Sequence, residues 1–400
     1  MNIILLALTA CLAVVTLGFL IQKYLRLPWM FTVVILGMTF SALGWFGETM
    51  TSDKFHFLAR MGMLFFLFMI GVDLEFKQMR ELGKYIIGGN ILLTLTEGFL
   101  LALFFYFVFP DFVNNSFWVA LIAGVAFGTV GEVILLVLLK EFGLEKTRFG
   151  QLAMGVGVFD DIFEILTLAI VVALPAVNAA PTSGSAWKNS VNIVLVLIGI
   201  LLVTYLLVQA GKYTRPLLAK LPEKSFVIPF LIFLIIYAYI YFGSYRVENM
   251  DVIAAIFSGI AVQRLLPEKF VQKFKQPVFF VGNIFLGPFF FLSLGGKMSF
   301  SAVLQYPFLI LIIIAISLFA RLTVSYLLFH KLLGKKQSLV MGVGLTAKFS
   351  TSVISENLLY TSGLIALPLY STIMGAFIVL KPIIVGVFAR ALATTKESIQ

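Results

Sequence analysis

The sequence predicts an all-α polytopic membrane protein of thirteen transmembrane helices. Two inverted six-helix repeats are joined by a linker helix, and interrupted helices 5 and 12 cross at the midplane. Three observations predict it. The composition is 61% apolar and only 12% charged, with a mean hydropathy of +1.06, which excludes a soluble globular protein. Apolar runs of about 17 to 25 residues recur along the whole chain, each long enough as a helix to cross a hydrocarbon core of roughly 30 Å. Between these runs the basic residues fall alternately in crowded and nearly empty loops, the pattern that sets membrane orientation.

Helix 1 takes residues 2–22. Its Leu8-Thr9-Ala10-Cys11 tetrad resembles a lipoprotein cleavage box, but no Lys or Arg precedes the apolar stretch, and the run continues to Ile21 as a span does and a cleaved signal does not. Helices 2 to 6 follow at 28–46, 57–72, 85–109, 117–139 and 149–174, each an apolar run closed by polar or basic residues. Helix 7, at 191–210, has no counterpart and serves as the linker. Helices 8 to 13 lie at 226–243, 249–263, 278–296, 305–329, 337–357 and 364–389. The shortest, 249–263, begins near Asp251; without it its flanking loops would fall on one side and break the pattern.

The loops after helices 1, 3, 5, 7, 9, 11 and 13 carry 21 Lys and Arg, against four (Lys54, Lys188, Arg246, Lys297) on the opposite side. The N-terminus is therefore expected outside and the C-terminus in the cytoplasm. The net charge of +10 sits in these short loops, so the only extended partner expected is membrane lipid and nucleic-acid binding is excluded. One cysteine, Cys11, leaves no disulfide framework, and His56 and His330 lie near span ends where they snorkel. No cofactor is expected.

Residues 65–76 (FFLFMIGVDLEF) and 289–300 (FFFLSLGGKMSF) share Phe-Phe, a glycine and a terminal Phe at an offset of 224. The pairs GV at 124 and 342 and G-x-F at 157 and 375 agree on an offset of 218, so helices 5 and 6 correspond to helices 12 and 13. A single crossing between the copies inverts the second. The organisation read from this is a first repeat at 1–174, the linker at 175–225, the inverted repeat at 226–390 and a cytoplasmic tail at 391–400. Inverted repeats point to an alternating-access transporter whose site lies where interrupted helices meet. Helix 5 offers Gly124, Gly128, Thr129 and Gly131; helix 12 offers Gly342, Gly344, Thr346, Ser350, Thr351 and Ser352. Small residues tolerate unwinding, and hydroxyls satisfy freed backbone groups. The competing reading of the same residues is close helix packing.

Eleven charged residues fall within spans: Glu97, Glu132, Asp160, Asp161, Glu164, Asp251, Glu356, Arg60, Arg321, Lys348 and Lys381. Each costs about 2.5 to 3.5 kcal/mol at a helix centre on insertion scales, so so large a set must be paired or functional. Arg60, Asp251 and Glu356 lie nearer span ends, where snorkelling or local pairing is expected. The densest cluster is GVGVFDDIFE, residues 155–164. Adjacent helical residues diverge by roughly 100°, so one of Asp160 and Asp161 can face a base while the other faces an aqueous cavity. Carboxylate oxygens suit small hard cations. A neutralised cluster that merely pins helices is the competing reading; apolar packing would do that with less risk.

Here the chain resembles the monovalent cation:proton antiporters, in particular the bacterial sodium/proton branch with paired aspartates, related to the Kef-type potassium/proton antiporters. The resemblance rests on GVDLEF at the end of helix 3, the FDD centre of helix 6, Arg321 deep in helix 11 and the inverted repeat, and it spans essentially the whole chain. It implies Na⁺(Li⁺)/H⁺ antiport serving pH homeostasis in a bacterial inner membrane, with Asp161 the cation and proton carrier and Asp160 the partner of Arg321. It also implies a core of helices 3–6 and 10–13 moving against a scaffold of helices 1, 2, 7, 8 and 9, and a homodimer.

Two departures matter. Arg321 stands where relatives often carry Lys, and arginine does not deprotonate in proteins, so one-for-one electroneutral exchange is expected. Helix 12 reads TAKFS where many relatives have Gly-Glu, which suggests a pair of Lys348 with Glu132. The offset of 224 maps Glu97 onto Arg321 and suggests a second pair, Glu97 with Lys381. Glu164, one turn from the aspartates, reads equally as a third site acid or a partner of Lys381. The alternative within the resemblance is K⁺/H⁺ antiport of the potassium-efflux type; Asp-Asp in place of Gln-Asp, and the short tail, favour Na⁺. An enzyme is not expected, because aspartyl proteolysis needs its two acids on facing helices, and a channel is disfavoured by inverted repeats and a buried arginine.

Overall fold

The computed structural model describes residues 3–25, 28–73, 83–131, 135, 139, 144, 147–178, 185–222, 226–245, 247, 249–348 and 351–396. Within these it gives no side chains for 25, 158, 161, 162, 172–178, 185–191, 389 and 391–396. The described chain is helical, with no strand among its residues. In order, the helices are α1 (Ile3–Tyr24), α2 (Trp29–Leu43), α3 (Asp53–Asp73), α4 (Gly83–Val108), α5 (Phe117–Phe127), α6 (Arg148–Asn178) and α7 (Ser185–Leu218). Then come α8 (Val227–Ser244), α9 (Met250–Leu265), α10 (Glu268–Gly296), α11 (Pro307–Leu333), α12a (Lys335–Gly344), α12b (Thr351–Thr361) and α13 (Leu367–Lys396).

Eight of these are long and apolar enough to cross a membrane: α1, α3, α4, α7, α8, α10, α11 and α13. Large apolar side chains stand exposed along them, such as Leu195, Ile198 and Leu202 on α7 and Phe230 and Leu234 on α8, the reverse of a water-soluble surface. α2 stops after 15 residues, where Gly44 adopts φ +68 and returns its N–H to the Phe40 carbonyl. α10 starts ten residues before the apolar run that predicted it, and α7 runs eight residues past its run. Hydropathy marks the buried stretch, whereas basic residues such as Lys269 and Arg215 continue the helix beyond it.

The chain forms two compact units. The first gathers residues 1–11, 46–74 and 172–293, so α3 and most of α10 group here with α7, α8 and α9. Its centre is the crossing of α3 and α9. Gly71 lies against the Ile256 carbonyl and Gly259 against the Phe68 carbonyl, so the two backbones touch without intervening side chains. Phe65, Phe68 and Val72 on one side of the crossing pack with Ile232, Ile236 and Tyr239 of α8. The Tyr239 hydroxyl is hydrogen-bonded to Thr204 at 2.8 Å. Arg60 meets Asp251 through two bonds of 2.9 and 2.8 Å, so these two charges near span ends are a local pair, one of the two readings expected of them.

The second unit comprises residues 12–45, 75–171 and 294–400. α4 packs on α5 and α11, and α11 on α12a. Gly98 and Gly124 let α4 and α5 touch backbone to backbone, and Gly342 does the same for α12a against Arg321 and Leu322 of α11. Both interruptions expected from glycine and hydroxyl content are present. α5 ends at Phe127, with Gly128–Gly131 outside regular helix, and Leu345–Lys348 separates α12a from α12b. Thr129 and Thr346 each donate to the carbonyl three residues back, at 3.1 and 2.6 Å. The two breaks meet: the Gly131 N–H donates to the Ala347 carbonyl at 2.6 Å.

The glycine crossing in the first unit yields a direct expectation. Gly71→Ala or Gly259→Ala forces a methyl into a backbone carbonyl and lowers stability by about 1 to 3 kcal/mol. Gly88→Ala, at a position with open space, leaves the thermal midpoint in detergent unchanged or slightly raised. Equal midpoints for all three variants would contradict the crossing.

Candidate functional site

The site is built on the broken backbone of residues 128–131. An interrupted helix frees N–H and C=O groups, and in a dry interior each unsatisfied group costs several kcal/mol. Four neighbours answer these groups in sequence order. Arg321 donates through Nη2 to the Gly128 carbonyl, and Lys348 donates to the Thr129 carbonyl at 3.4 Å. Asp160 Oδ2 accepts from the Val130 N–H, and the Ala347 carbonyl accepts from the Gly131 N–H.

Glu97, in the middle of α4, ties the two cations together. Its Oε2 lies 2.5 Å from Arg321 Nε, and Lys348 Nζ stands 3.0 Å from Oε1. Ser317, one turn before Arg321 on α11, donates to Oε1 at 2.5 Å. Glu97, Ser317, Arg321 and Lys348 are all 2% exposed or less. Lys348 Nζ also stands 4.8 Å over the Phe127 ring, which in turn stacks on Phe377 of α13. With Asp160 the cluster counts two carboxylates against two cations, the balance that buried charge requires.

Asp160 is fully buried in α6. Besides the Val130 amide it accepts at Oδ1 from Asn90 Nδ2, and from Thr94 Oγ1 at 3.4 Å, both one face of α4. Asn90 and Thr94 are residues that a charge-based reading passes over. The signal was an asparagine inside the apolar run of helix 4, a residue that is costly there without a partner.

Several expectations are corrected. Among the described residues Asp160 makes no hydrogen bond or ion pair with Arg321: Nε and Nη2 of Arg321 go to Glu97 and the Gly128 carbonyl and its Nη1 has no hydrogen-bond partner, while Asp160 is taken by a backbone amide and Asn90. Glu97 does not pair with Lys381; it holds Arg321, the very position that the offset of 224 assigned as its counterpart, together with Lys348. Lys381 is buried with its Nζ 5.3 Å over the Phe31 ring and without a hydrogen-bond partner among the described residues. Glu356 is neither snorkelling nor locally paired: it is fully buried, and neither carboxyl oxygen has a hydrogen-bond partner among the described residues.

Of the remaining site residues, Glu164 is buried one turn beyond Asp160 on α6. Thr351 is buried in the first turn of α12b, its hydroxyl without a partner among the described residues, and Thr346 caps the end of α12a. Glu132, Ser350 and the side chain of Asp161 lie outside the described residues.

Removing the shared carboxylate takes the only ion-pair partner of Arg321 and Lys348 among the described residues and leaves two buried cations against the single carboxylate of Asp160. Glu97→Gln should therefore cost about 3 to 5 kcal/mol. Asp73→Asn breaks a pair with Lys275 whose side chains are 48% and 39% exposed, and should cost under about 1 kcal/mol. Thermal midpoints of the two purified variants check this; a larger loss for Asp73→Asn would refute the central place of Glu97.

A family model described as "Sodium/hydrogen exchanger, transmembrane" matches residues 7–394. The Na(+)/H(+) antiporter of Enterococcus hirae is 23% identical over 92% of this chain and 95% of its own length. The glutathione-regulated potassium-efflux system protein KefC of Shigella flexneri is 24% identical over 72% of this chain and 44% of its own. The match covers 16%, 44% and 58% of the length of three such relatives. The sodium proton antiporter MjNhaP1 of Methanocaldococcus jannaschii shares the fold, with a TM-score of 0.67 at 16% identity over 98% of this chain and 99% of that one. A match from residue 7 to residue 394, with the helix breaks and their buried charges inside it, places this chain in the sodium/hydrogen exchanger family.

Proposed function

We propose that the chain is a secondary active Na⁺(Li⁺)/H⁺ antiporter in which proton and cation compete for Asp161, with Asp160 beside it. The observation that carries the reading is the charge-balanced cluster of Glu97, Arg321, Lys348 and Asp160 on two touching helix breaks. Such a cluster holds the breaks together while leaving exchange to a separate acid. Asp160 is committed to the Val130 amide and Asn90, which supports giving the exchanged ions to the adjacent Asp161, roughly 100° round the same helix, the carrier that the family resemblance implies. In this reading the cation is cargo, bound by carboxylate oxygen after the proton leaves and displaced when a proton returns.

Arg321, bridged to Glu97, does not shed a proton during the cycle, which supports one-for-one, electroneutral exchange. Alternating access then moves a core against a scaffold, and the inverted repeats 1–174 and 226–390 supply its two halves. We place the protein in a bacterial inner membrane, N-terminus outside, as a homodimer; the 21-to-four split of basic residues supports the orientation. K⁺/H⁺ exchange is the second reading, and the likeness to KefC over 72% of this chain favours it.

Proteoliposomes with an imposed pH gradient test both. Adding Na⁺ or Li⁺ should trigger proton flux in wild type and not in Asp161→Asn; a response to K⁺ alone would select the second reading. At zero pH gradient, an imposed Na⁺ gradient should drive exchange without current. A current that Asp161→Asn abolishes would overturn electroneutrality, and no flux with any of the three cations in folded protein would overturn antiport.

A further inference from the structure

α12b carries an acid that the exchange cluster does not use. Glu356 is completely buried, with no hydrogen-bond partner at either oxygen among the described residues. One turn earlier on the same helix face, Ser352 is 1% exposed and its hydroxyl is equally without a partner. Buried polar atoms are nearly always bonded, so two orphans four residues apart require an explanation.

Among the described residues the surroundings supply no counter-charge. α5, which packs on α12b, has no titratable residue from Phe117 to Phe127. α13 brings Tyr370, whose hydroxyl donates to the Leu294 carbonyl at 3.1 Å and whose ring stacks on Tyr360. Lys381, farther along α13, lies over Phe31 instead. Lys297 donates to Asn357 Oδ1 at 3.1 Å, beside Glu356 in sequence but not to it. The ion pairs of the described residues do not include Glu356. An ionised carboxylate is strongly unfavourable in such a place, whereas a protonated one is neutral and gains an O–H to donate.

Position gives this acid a use. α12b begins at Thr351, just past the break that holds Lys348, and ends at Thr361. Glu356 stands five residues beyond Thr351, about 7.5 Å along the axis from the start of α12b. We propose that Glu356, with Ser352, is a second proton-binding site, a station through which protons pass between the exchange cluster and the far end of α12b. An O–H bond forms at a Glu356 oxygen when a proton arrives and breaks when it leaves, the residue alternating between neutral acid and transient carboxylate. The Ser352 hydroxyl, one turn away and itself without a partner among the described residues, is the group that would turn to accept from the acid or donate to the carboxylate as the proton arrives and leaves. Only the destination of the proton rests on the antiport reading; its binding does not.

Infrared difference spectra of the full chain in lipid bilayers, recorded as the pH is stepped, test this in wild type and Glu356→Gln. Wild type should show a protonated-carboxyl C=O band that fades as pH rises through the range of transport, and Glu356→Gln should lack it. Ser352→Ala, which keeps the carboxyl, should shift the same band. Cation-driven proton flux should fall roughly tenfold or more in Glu356→Gln. A band that is absent, or present but unmoved by pH, overturns the site. A titrating band with undiminished flux in Glu356→Gln overturns the route. A titrating band in a wild type that shows no cation-driven flux keeps the proton site and removes the antiport reading.

Discussion

A backbone that leaves its helix in a dry interior must find four partners at once, and the rest of the second unit is arranged around that demand. From Gly128 to Gly131 each freed group has its own answer: a guanidinium, an ammonium, a carboxylate and a carbonyl from the other break. Here charged side chains and the second break, rather than neutral hydroxyls alone, meet that demand, and so the charges and the second break lie against the first. The acid at Glu97 follows in turn, because two cations brought in to satisfy carbonyls need a counter-charge of their own.

The division of labour between the two bases follows from their shapes. Arg321 reaches Glu97 with Nε and the Gly128 carbonyl with Nη2, a forked arrangement that lysine does not reproduce. Lys348 is a point charge on a flexible stem, and it sits within the break itself, between Glu97, the Thr129 carbonyl and the face of Phe127. Lysine at this position is what allows α12a and α12b to part beside a carboxylate rather than beside another base.

Much of this was legible in the sequence. Apolar runs gave the helices, and glycine with threonine gave both interruptions, because those signals are local: a span needs about twenty apolar residues, and a break needs residues that tolerate it. The membership of the cluster was also legible, since Glu97, Asp160, Arg321 and Lys348 are expensive wherever they sit in a span. The pairing was not. Whether Arg321 meets Asp160 or Glu97 depends on how far α4, α6 and α11 are rotated, and neutral residues such as Asn90 and Ser317 decide it without carrying a charge to betray them. Glu356 was misjudged for a related reason: a span end inferred from hydropathy does not reveal that α12b is covered on all sides.

The partners of the first break are far from it along the chain. Val130 waits for Asp160, 30 residues on, but Gly128 and Thr129 wait for residues 193 and 219 positions later. Helices insert into a membrane in order of synthesis, so α5 exists for half the length of the protein before Arg321 and Lys348 have been made. During that interval Glu97 has neither cation, and the bared carbonyls have only water or the insertion machinery. The site therefore closes only when α11 and α12a arrive, and a chain that ends short of residue 321 holds Glu97 without its arginine.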